Sequence, residues 1–310
     1  KKKNNTMTEL AKTIHQESLS VNANEETANV WEVQTNEELS HTPTLFAESV
    51  FHIGTFTVTN SLLNSWIVVF AIVILSFFIR RKISIIPRGM QNFFEIVLDG
   101  ALNMVDSVTG AREKTMRFMP IVLPLFIFIL LNNWLGIFPG MGSIGFIEQS
   151  EGHKIFIPLF RGATADLNTT LALSLMAVVL SHIFGVVFTN AWSHFNRFIN
   201  VKLFLELPRK IFKEKEYTAI FTNPIQFFVG IIELVGEFSK IASLSFRLFG
   251  NIFAGEVLLG AMAAIFAYAV PIPFMFFEII VGIVQALIFA MLTLVFLTVM
   301  STKHDGYEAH

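Results

Sequence analysis

Long apolar runs separated by shorter polar segments dominate the chain from residue 61 onward. The first run, Ser61 to Ile79, has about the ~20-residue length that crosses a hydrocarbon core. Phe118 to Phe138 and Asp166 to Trp192 are comparable, and predict a second and a third span. The pattern therefore predicts an all-α integral membrane protein with about five to six membrane helices.

The last two apolar segments are too long to cross a membrane upright. Phe221 to about Val270 is roughly fifty residues, which as one helix measures ~75 Å against a hydrocarbon core of ~30 Å. Ile272 to Met300 is also long, and Pro271 and Pro273 interrupt the chain between the two segments. We expect two long, strongly tilted helices that form a hairpin over residues 221–300.

Between the first two spans, residues 88–112 have apolar positions at helical spacing and an acidic opposite face. They predict an amphipathic helix or short hairpin packed against protein on the cytoplasmic side, since an acidic face argues against simple adhesion to anionic lipid. The second span is expected to begin near Phe118, with Pro120 and Pro124 in its first turns, where proline is tolerated.

Basic residues flank the spans unequally. Arg80, Arg81 and Lys82 follow the first span, and the strongest basic cluster lies between residues 193 and 217. The positive-inside rule places both stretches in the cytoplasm. We therefore expect a polar extension (residues 1–50) outside, a membrane domain (residues 51–302) and a cytoplasmic tail (residues 303–310).

Composition agrees with membrane insertion and excludes several function classes. Hydrophobic residues make up 53% of the chain and charged residues 15%, against roughly 25% charged in soluble domains. The net charge of -2 gives no reason to expect a nucleic-acid partner, and the absence of cysteine removes disulfides and thiolate chemistry. No phosphate-binding loop or zinc-protease motif is present, so we expect no cofactor, no metal, no directly bound nucleotide and no catalytic site of its own.

Arg247 is the charge that most needs an explanation, because it lies within the apolar segment 221–270. An arginine at bilayer depth is unfavourable by about 2.5–3.5 kcal/mol on insertion scales, and it does not escape by losing its proton. Function is the favoured reading. The alternative is an arginine paired with a helix carbonyl or carboxylate for packing.

Other polar residues recur around Arg247 at helical spacing. Glu233 lies fourteen residues before it, Asn251 is one turn beyond it, and Glu256 is nine residues beyond. On the final helix Glu278 and Gln285 are seven apart. In an antiparallel hairpin Gln285 would approach the Arg247 region and Glu278 the Glu256 region, which predicts a fixed cation acting as a barrier between two offset ion paths.

Each acid or amide could also have a purely structural role. Glu256 and Glu278 could be protonated, structurally hydrogen-bonded acids, and Asn251 and Gln285 could make interhelical amide bonds. Asp166, or Thr164, could cap the third span. For two further residues the structural role is preferred: His182 as a satisfied interhelical histidine, and Glu237 as the partner of Lys240.

Three motifs then resemble one family. Ser243–Glu256, SLSFRLFGNIFAGE, closely resembles the signature of subunit a of bacterial F-type ATP synthases. The final-helix stretch VQALIFAMLTLVFL around Gln285 and the stretch TADLNTTLALSL around Asp166 are similar to two further motifs of that family. The resemblance runs from about Phe51 to Thr302.

The resemblance implies a stator subunit beside a rotating c-ring, held by peripheral stalk b subunits and surrounded by lipid in a bacterial plasma (inner) membrane. The resemblance also implies that this subunit has two offset half-channels and that Arg247 meets each rotor carboxylate. Asp166 matches the acid leading into the outer half-channel, and Glu233 the acid of the cytoplasmic one. The residues so implicated in proton translocation are Arg247, Glu256, Glu278, Asn251, Gln285, Asp166 and Glu233.

The chain departs from the family pattern at Glu278, where many bacterial members carry histidine. Glu256 and Glu278 are therefore expected to titrate together and to share one proton at rest. A stand-alone secondary transporter is the alternative function, although no internal repeat is found. An intramembrane enzyme would need a nucleophile and base, or a metal cluster, that the sequence does not show. The choice between H⁺ and Na⁺ is left open.

Overall fold

The computed structural model describes residues 44–81, 89–150, 153–189, 191–192, 194, 219–266 and 269–302. The chain divides into a small unit, Lys1–Thr42 with Gly145–Pro158, and a large unit, Pro43–Ile144 with Leu159–His310. The sequence predictions for residues 1–43, for most of the basic segment 193–217 and for the tail 303–310 fall outside the described residues.

The large unit is almost entirely helical. Its elements in chain order are β1 (Ser49–Ile53), β2 (Phe56–Thr59), α1 (Asn60–Arg81), α2 (Met90–Thr109), α3 (Arg112–Ile137), short 3-10 helices at Met141–Ser143 and Ala163–Ala165, α4 (Leu167–Thr189), α5 (Ala219–Ile265) and α6 (Pro271–Ser301). Strands β1 and β2 form an antiparallel hairpin. In the small unit, β3 (Gly145–Ser150) and β4 (His153–Pro158) form a second antiparallel hairpin.

Within the described residues, five helices are long and apolar enough to cross a membrane: α1, α3, α4, residues Phe227–Ile265 of α5, and α6. This confirms an all-α integral membrane protein. Helix α5 has 47 residues, which corresponds to ~70 Å at 1.5 Å per residue. Its tilt in a membrane stays a prediction.

Helix α3 corrects one boundary. It begins at Arg112, six residues before the predicted start at Phe118. The hydrophobic pattern misses these first turns because they carry charged residues. Pro120 and Pro124 therefore lie inside the helix and not in its first turns. Each proline removes an N–H from the helical hydrogen-bond ladder, which favours bending at these positions.

Helix α6 is the centre of the large unit and packs against α2, α3, α4 and α5. Its buried positions recur every three or four residues, which is the spacing of a single helix face. One cluster joins Phe289 of α6 to Leu248 and Ile252 of α5. A second joins Leu294 of α6 to Phe118 of α3.

Candidate functional site

Arg247 lies on the exposed face of α5, because the opposite face forms the core. Leu244, Leu248 and Ile252 recur every four residues and are buried against α6 and its neighbours. Ser245, also buried, hydrogen-bonds Thr170 of α4 at 3.2 Å. These contacts direct the Arg247 side chain away from the helix bundle. Within the described part of the chain the guanidinium has no hydrogen-bond or ion-pair partner.

Small residues surround Arg247 on the same face of α5. Ser243 lies one turn before it and Ala254 two turns beyond, and both are exposed. Gly236 and Gly250 have no neighbouring atom within 4 Å of the position a Cβ would occupy. Small side chains allow another helix to approach closely within a membrane. This face can therefore receive a further helix next to Arg247.

Asn251, one turn beyond Arg247, connects α5 to α6. Its side-chain amide donates to Gln285 Oε1 at 2.8 Å, and Gln285 is buried. The interhelical amide bond, which was the structural alternative for these two residues, is therefore present. It does not exclude transport, because Asn251 itself stays exposed on the Arg247 side of α5.

Glu278 lies directly over Gly255. A Cβ built on Gly255 would fall 2.2 Å from the Glu278 carboxyl carbon, so the carboxylate occupies space that only glycine leaves open. Glu278 is 6% exposed, and no described residue donates a hydrogen bond to its Oε1. It lines a cavity of about 220 Å³ that also reaches Asn251.

The order of these contacts defines the direction of the two helices. Asn251 meets Gln285, and Gly255, four residues later, meets Glu278, seven residues earlier. Positions that advance along α5 therefore meet positions that recede along α6, as in antiparallel packing.

Glu256 has a different partner, Arg161, which precedes the 3-10 helix Ala163–Ala165. Arg161 Nε donates to both Glu256 carboxylate oxygens at 3.0 and 3.2 Å, and Nη2 donates to Oε2 at 2.9 Å. The guanidinium also donates to the backbone carbonyl of Thr44 at 2.7 Å and of Phe46 at 3.1 Å. The Arg161 side chain is only 4% exposed.

These contacts separate two acids that were expected to share one proton. Glu256 accepts three charge-assisted bonds, whereas Glu278 has an oxygen without a donor. No hydrogen bond joins the two carboxylates within the described residues. The two carboxyl groups therefore have different surroundings: a guanidinium holds Glu256, whereas Glu278 borders a cavity with one oxygen that accepts no hydrogen bond from the described residues.

Asp166 caps α4. Its Oδ1 accepts from the backbone N–H of Asn168 at 3.2 Å, and its Oδ2 accepts from Thr169 Oγ1 at 2.9 Å. The backbone N–H of Ala47 also donates to Oδ1 at 3.3 Å. The cap considered for this position is therefore formed by Asp166, whereas Thr164 hydrogen-bonds Asn133 at 2.6 Å.

Glu233 lies at the other end of α5 from this cluster and is half-buried. It is one turn from Glu237, which pairs with Lys240 at 2.7 Å, as preferred from the sequence. At 1.5 Å per residue, Glu233 lies ~21 Å before Arg247 along the helix and Glu256 ~13 Å after it. Acidic groups thus lie on both sides of the cation.

Comparison with known proteins identifies the family. The family model described as ATP synthase A chain matches residues 62–298.

The chain belongs to the ATP synthase A chain family.

Curated members with this subunit name agree over most of their length. The ATP synthase subunit a of Syntrophobacter fumaroxidans is 29% identical over 78% of this chain and 84% of that protein. The protein of the same name from Mycobacterium ulcerans is 32% identical over 80% of this chain and 90% of its own. The ATP synthase subunit a of Geobacter sulfurreducens is 28% identical over 77% of this chain and 86% of that protein.

Family membership establishes the general role of the chain. The chain is a multi-pass membrane protein and part of an ATP synthase complex, as the stator subunit of the proton-translocating F0 sector. All seven candidate residues lie inside the matched range. The structure brings together Asn251, Gln285 and Glu278, places Glu256 on Arg161, and leaves Glu233 apart.

Arg161 and Gly255 are the residues of this A chain site that sequence reasoning missed. A signal for Arg161 existed, because a carboxylate at depth requires a nearby cation. Arg161 is the last basic residue before the motif that contains Asp166. No comparable signal marked Gly255, since its importance comes from a side chain on another helix.

Proposed function

We propose that Arg247 is the charge past which each c-ring carboxylate moves, and that it separates two offset half-channels. The observation that carries this proposal is the exposed, unpaired Arg247 on a face of small residues within an apolar helix. A fixed cation there lowers the pKa of an approaching rotor carboxylate, which releases its proton, and blocks direct passage between the half-channels.

The outer half-channel is proposed to deliver protons through Glu278. Its carboxylate borders the cavity that reaches Asn251, close to the Arg247 face. Glu256 lies beside this route and is held by Arg161, whose Nη2 is 2.9 Å from Oε2. Asp166 lies at the start of α4, five residues after Arg161, and contributes both a helix cap and a second carboxylate on this side. Asn251 and Gln285 hold α5 and α6 in register beside Arg247.

Protons are proposed to leave through the inner half-channel at the Glu233 end of α5. In this orientation the N-terminus lies outside and the C-terminus is cytoplasmic, which agrees with Arg80 and Arg81 in the last turn of α1. The partners are the c-ring, the peripheral stalk b subunits and membrane lipid, in a bacterial plasma membrane. Each proton that crosses 100 mV releases about 2.3 kcal/mol to drive rotation.

Replacing Arg247 tests the proposal. Arg247→Ala should abolish ATP synthesis driven by an imposed proton gradient in vesicles that contain the assembled complex. Arg117→Ala is the matched control, because it removes an exposed arginine of α3 that pairs with Glu113, and it should retain synthesis. Coupled synthesis at the wild-type rate in the Arg247→Ala complex would refute the assignment.

A further inference from the structure

A row of four ionisable side chains links α4 and α5 on the Glu233 side of Arg247. His194 Nε2 lies 3.1 Å from His182 Nδ1, and His182 Nε2 lies 3.4 Å from Glu237 Oε2. Glu237 Oε1 in turn accepts from Lys240 Nζ at 2.7 Å. Both ring nitrogens of His182 therefore face another ionisable group.

This row lies beside a groove of about 550 Å³ between α4 and α5. The groove is lined mainly by aliphatic side chains, including Val179, Ile183, Val186 and Leu234. Ionisable residues are rare at membrane depth and usually mark an ion or proton path. A purely structural link between the two helices would need only an amide or a hydroxyl, such as the Ser245–Thr170 pair.

The row lies on the opposite side of Arg247 from Glu256 and Glu278. Glu237 precedes Arg247 by ten residues, or ~15 Å along the helix axis, and Glu233 is one further turn away. Glu278 is the only ionisable residue of α6 and lies at the Gly255 contact. The α6 side chain against Lys240 is the ring of Phe296, 5.2 Å from Nζ. Among the described residues, Glu237 and His194 contact His182 directly. Lys240 lies on the far side of Glu237, and Glu233 is one turn of α5 from Glu237.

We propose that His182 relays protons from Glu237 to His194 within the inner half-channel; this rests on the proposed function. Protonated Glu237 transfers its proton from Oε2 to His182 Nε2, while the proton on His182 Nδ1 passes to His194 Nε2. One N–H bond of His182 forms as the other breaks, so the ring stays neutral and one proton moves from α5 to His194. Glu237 receives its proton from the rotor carboxylate that has released it near Arg247, and His194 releases the relayed proton to water on the inner side. His182 then returns to its first tautomer before the next transfer.

Chemical rescue tests the relay. Passive proton conductance is measured in membrane vesicles that contain the assembled complex stripped of its catalytic head, at several pH values. His182→Ala should lower conductance about 100-fold, the lower end of what positioned proton transfer contributes. Added imidazole should restore it, because the groove next to residue 182 is large enough for an imidazole ring.

Two further variants keep the test decisive. His182→Gln preserves a hydrogen-bonding side chain that does not relay protons, so conductance should fall as in His182→Ala. Val186→Ala enlarges the same groove without removing an ionisable group, and should conduct normally with no response to imidazole. Co-purification of the c-ring checks that each complex is assembled.

Wild-type conductance in the His182→Gln complex, or a His182→Ala complex that imidazole does not restore, would overturn the relay. Neither outcome touches the proposal for Arg247. That proposal fails separately if Arg247→Ala keeps coupled ATP synthesis in the same membranes.

Discussion

Gly255→Ala is the most direct test of the role given to Glu278. The added Cβ would lie 2.2 Å from the carboxyl carbon and from one oxygen, and 2.3 Å from the other oxygen. Ordinary van der Waals contact begins near 3.4 Å. The Glu278 carboxylate must therefore move by about 1.2 Å, the difference between 3.4 and 2.2 Å.

This displacement should affect proton transfer far more than stability. Moving the end of a flexible side chain off its preferred rotamer is unfavourable by about 0.5–1.5 kcal/mol. Replacing glycine by alanine inside a helix is favourable by about 1 kcal/mol, which nearly offsets that penalty. A misplacement of about 1 Å at a reacting group, in contrast, can lower a rate about 100-fold.

The assay is passive proton conductance in stripped vesicles, with the thermal unfolding midpoint of the purified complex measured in parallel. Gly260→Ala is the matched control, because no atom lies within 4 Å of its added Cβ, and it should conduct normally. Combining Gly255→Ala with Glu278→Asp should restore part of the conductance, since the side chain is shorter by one carbon–carbon bond of about 1.5 Å. Wild-type conductance in Gly255→Ala would refute the role of Glu278 as proton carrier.

Three further substitutions test the surrounding contacts. Arg161→Gln should lower the free energy of unfolding by about 2 kcal/mol, because the charge-assisted bonds between Arg161 and Glu256 are lost. Arg117→Gln is the exposed control. Equal unfolding midpoints for the Arg161→Gln and Arg117→Gln complexes would contradict the role of the Arg161–Glu256 pair. Asp166→Ala should cost about 1 kcal/mol of helix capping, whereas Asp166→Asn keeps the cap; if Asp166→Asn also keeps proton conductance, its charge is not used. Asn251→Ala and Gln285→Ala, singly and together, should give a coupling energy of about 0.6 kcal/mol in thermal unfolding, and additive effects would argue against the interhelical bond.

The membrane helices could be predicted because hydrocarbon imposes a simple length rule. A span needs about 20 apolar residues and satisfies its own backbone hydrogen bonds. Arg247 was equally visible, because a charge inside an apolar run is unfavourable wherever the helix packs. The seven-residue spacing of Glu278 and Gln285 also predicted which positions of α6 would face α5.

The remaining details depend on contacts between distant parts of the chain. Arg161 and Glu256 are 95 residues apart, so no local periodicity connects them. The start of α3 was placed too late because Arg112 and Arg117 suggested a polar connection. In the structure both arginines form ion pairs within or beside the helix, with Asp106 and Glu113, so the helix accommodates them.

Arg161 also has a consequence for the order in which the protein is assembled. Its guanidinium gathers Thr44 and Phe46 from before the first membrane helix and Glu256 from the second-last one. The last of these partners to be synthesised is Glu256. A chain still emerging from the ribosome therefore lacks both the Arg161–Glu256 pair and the α5–α6 cavity. Under the function proposed above, such a partly inserted chain would have no finished route for protons, and the membrane potential would be protected while the complex is being built.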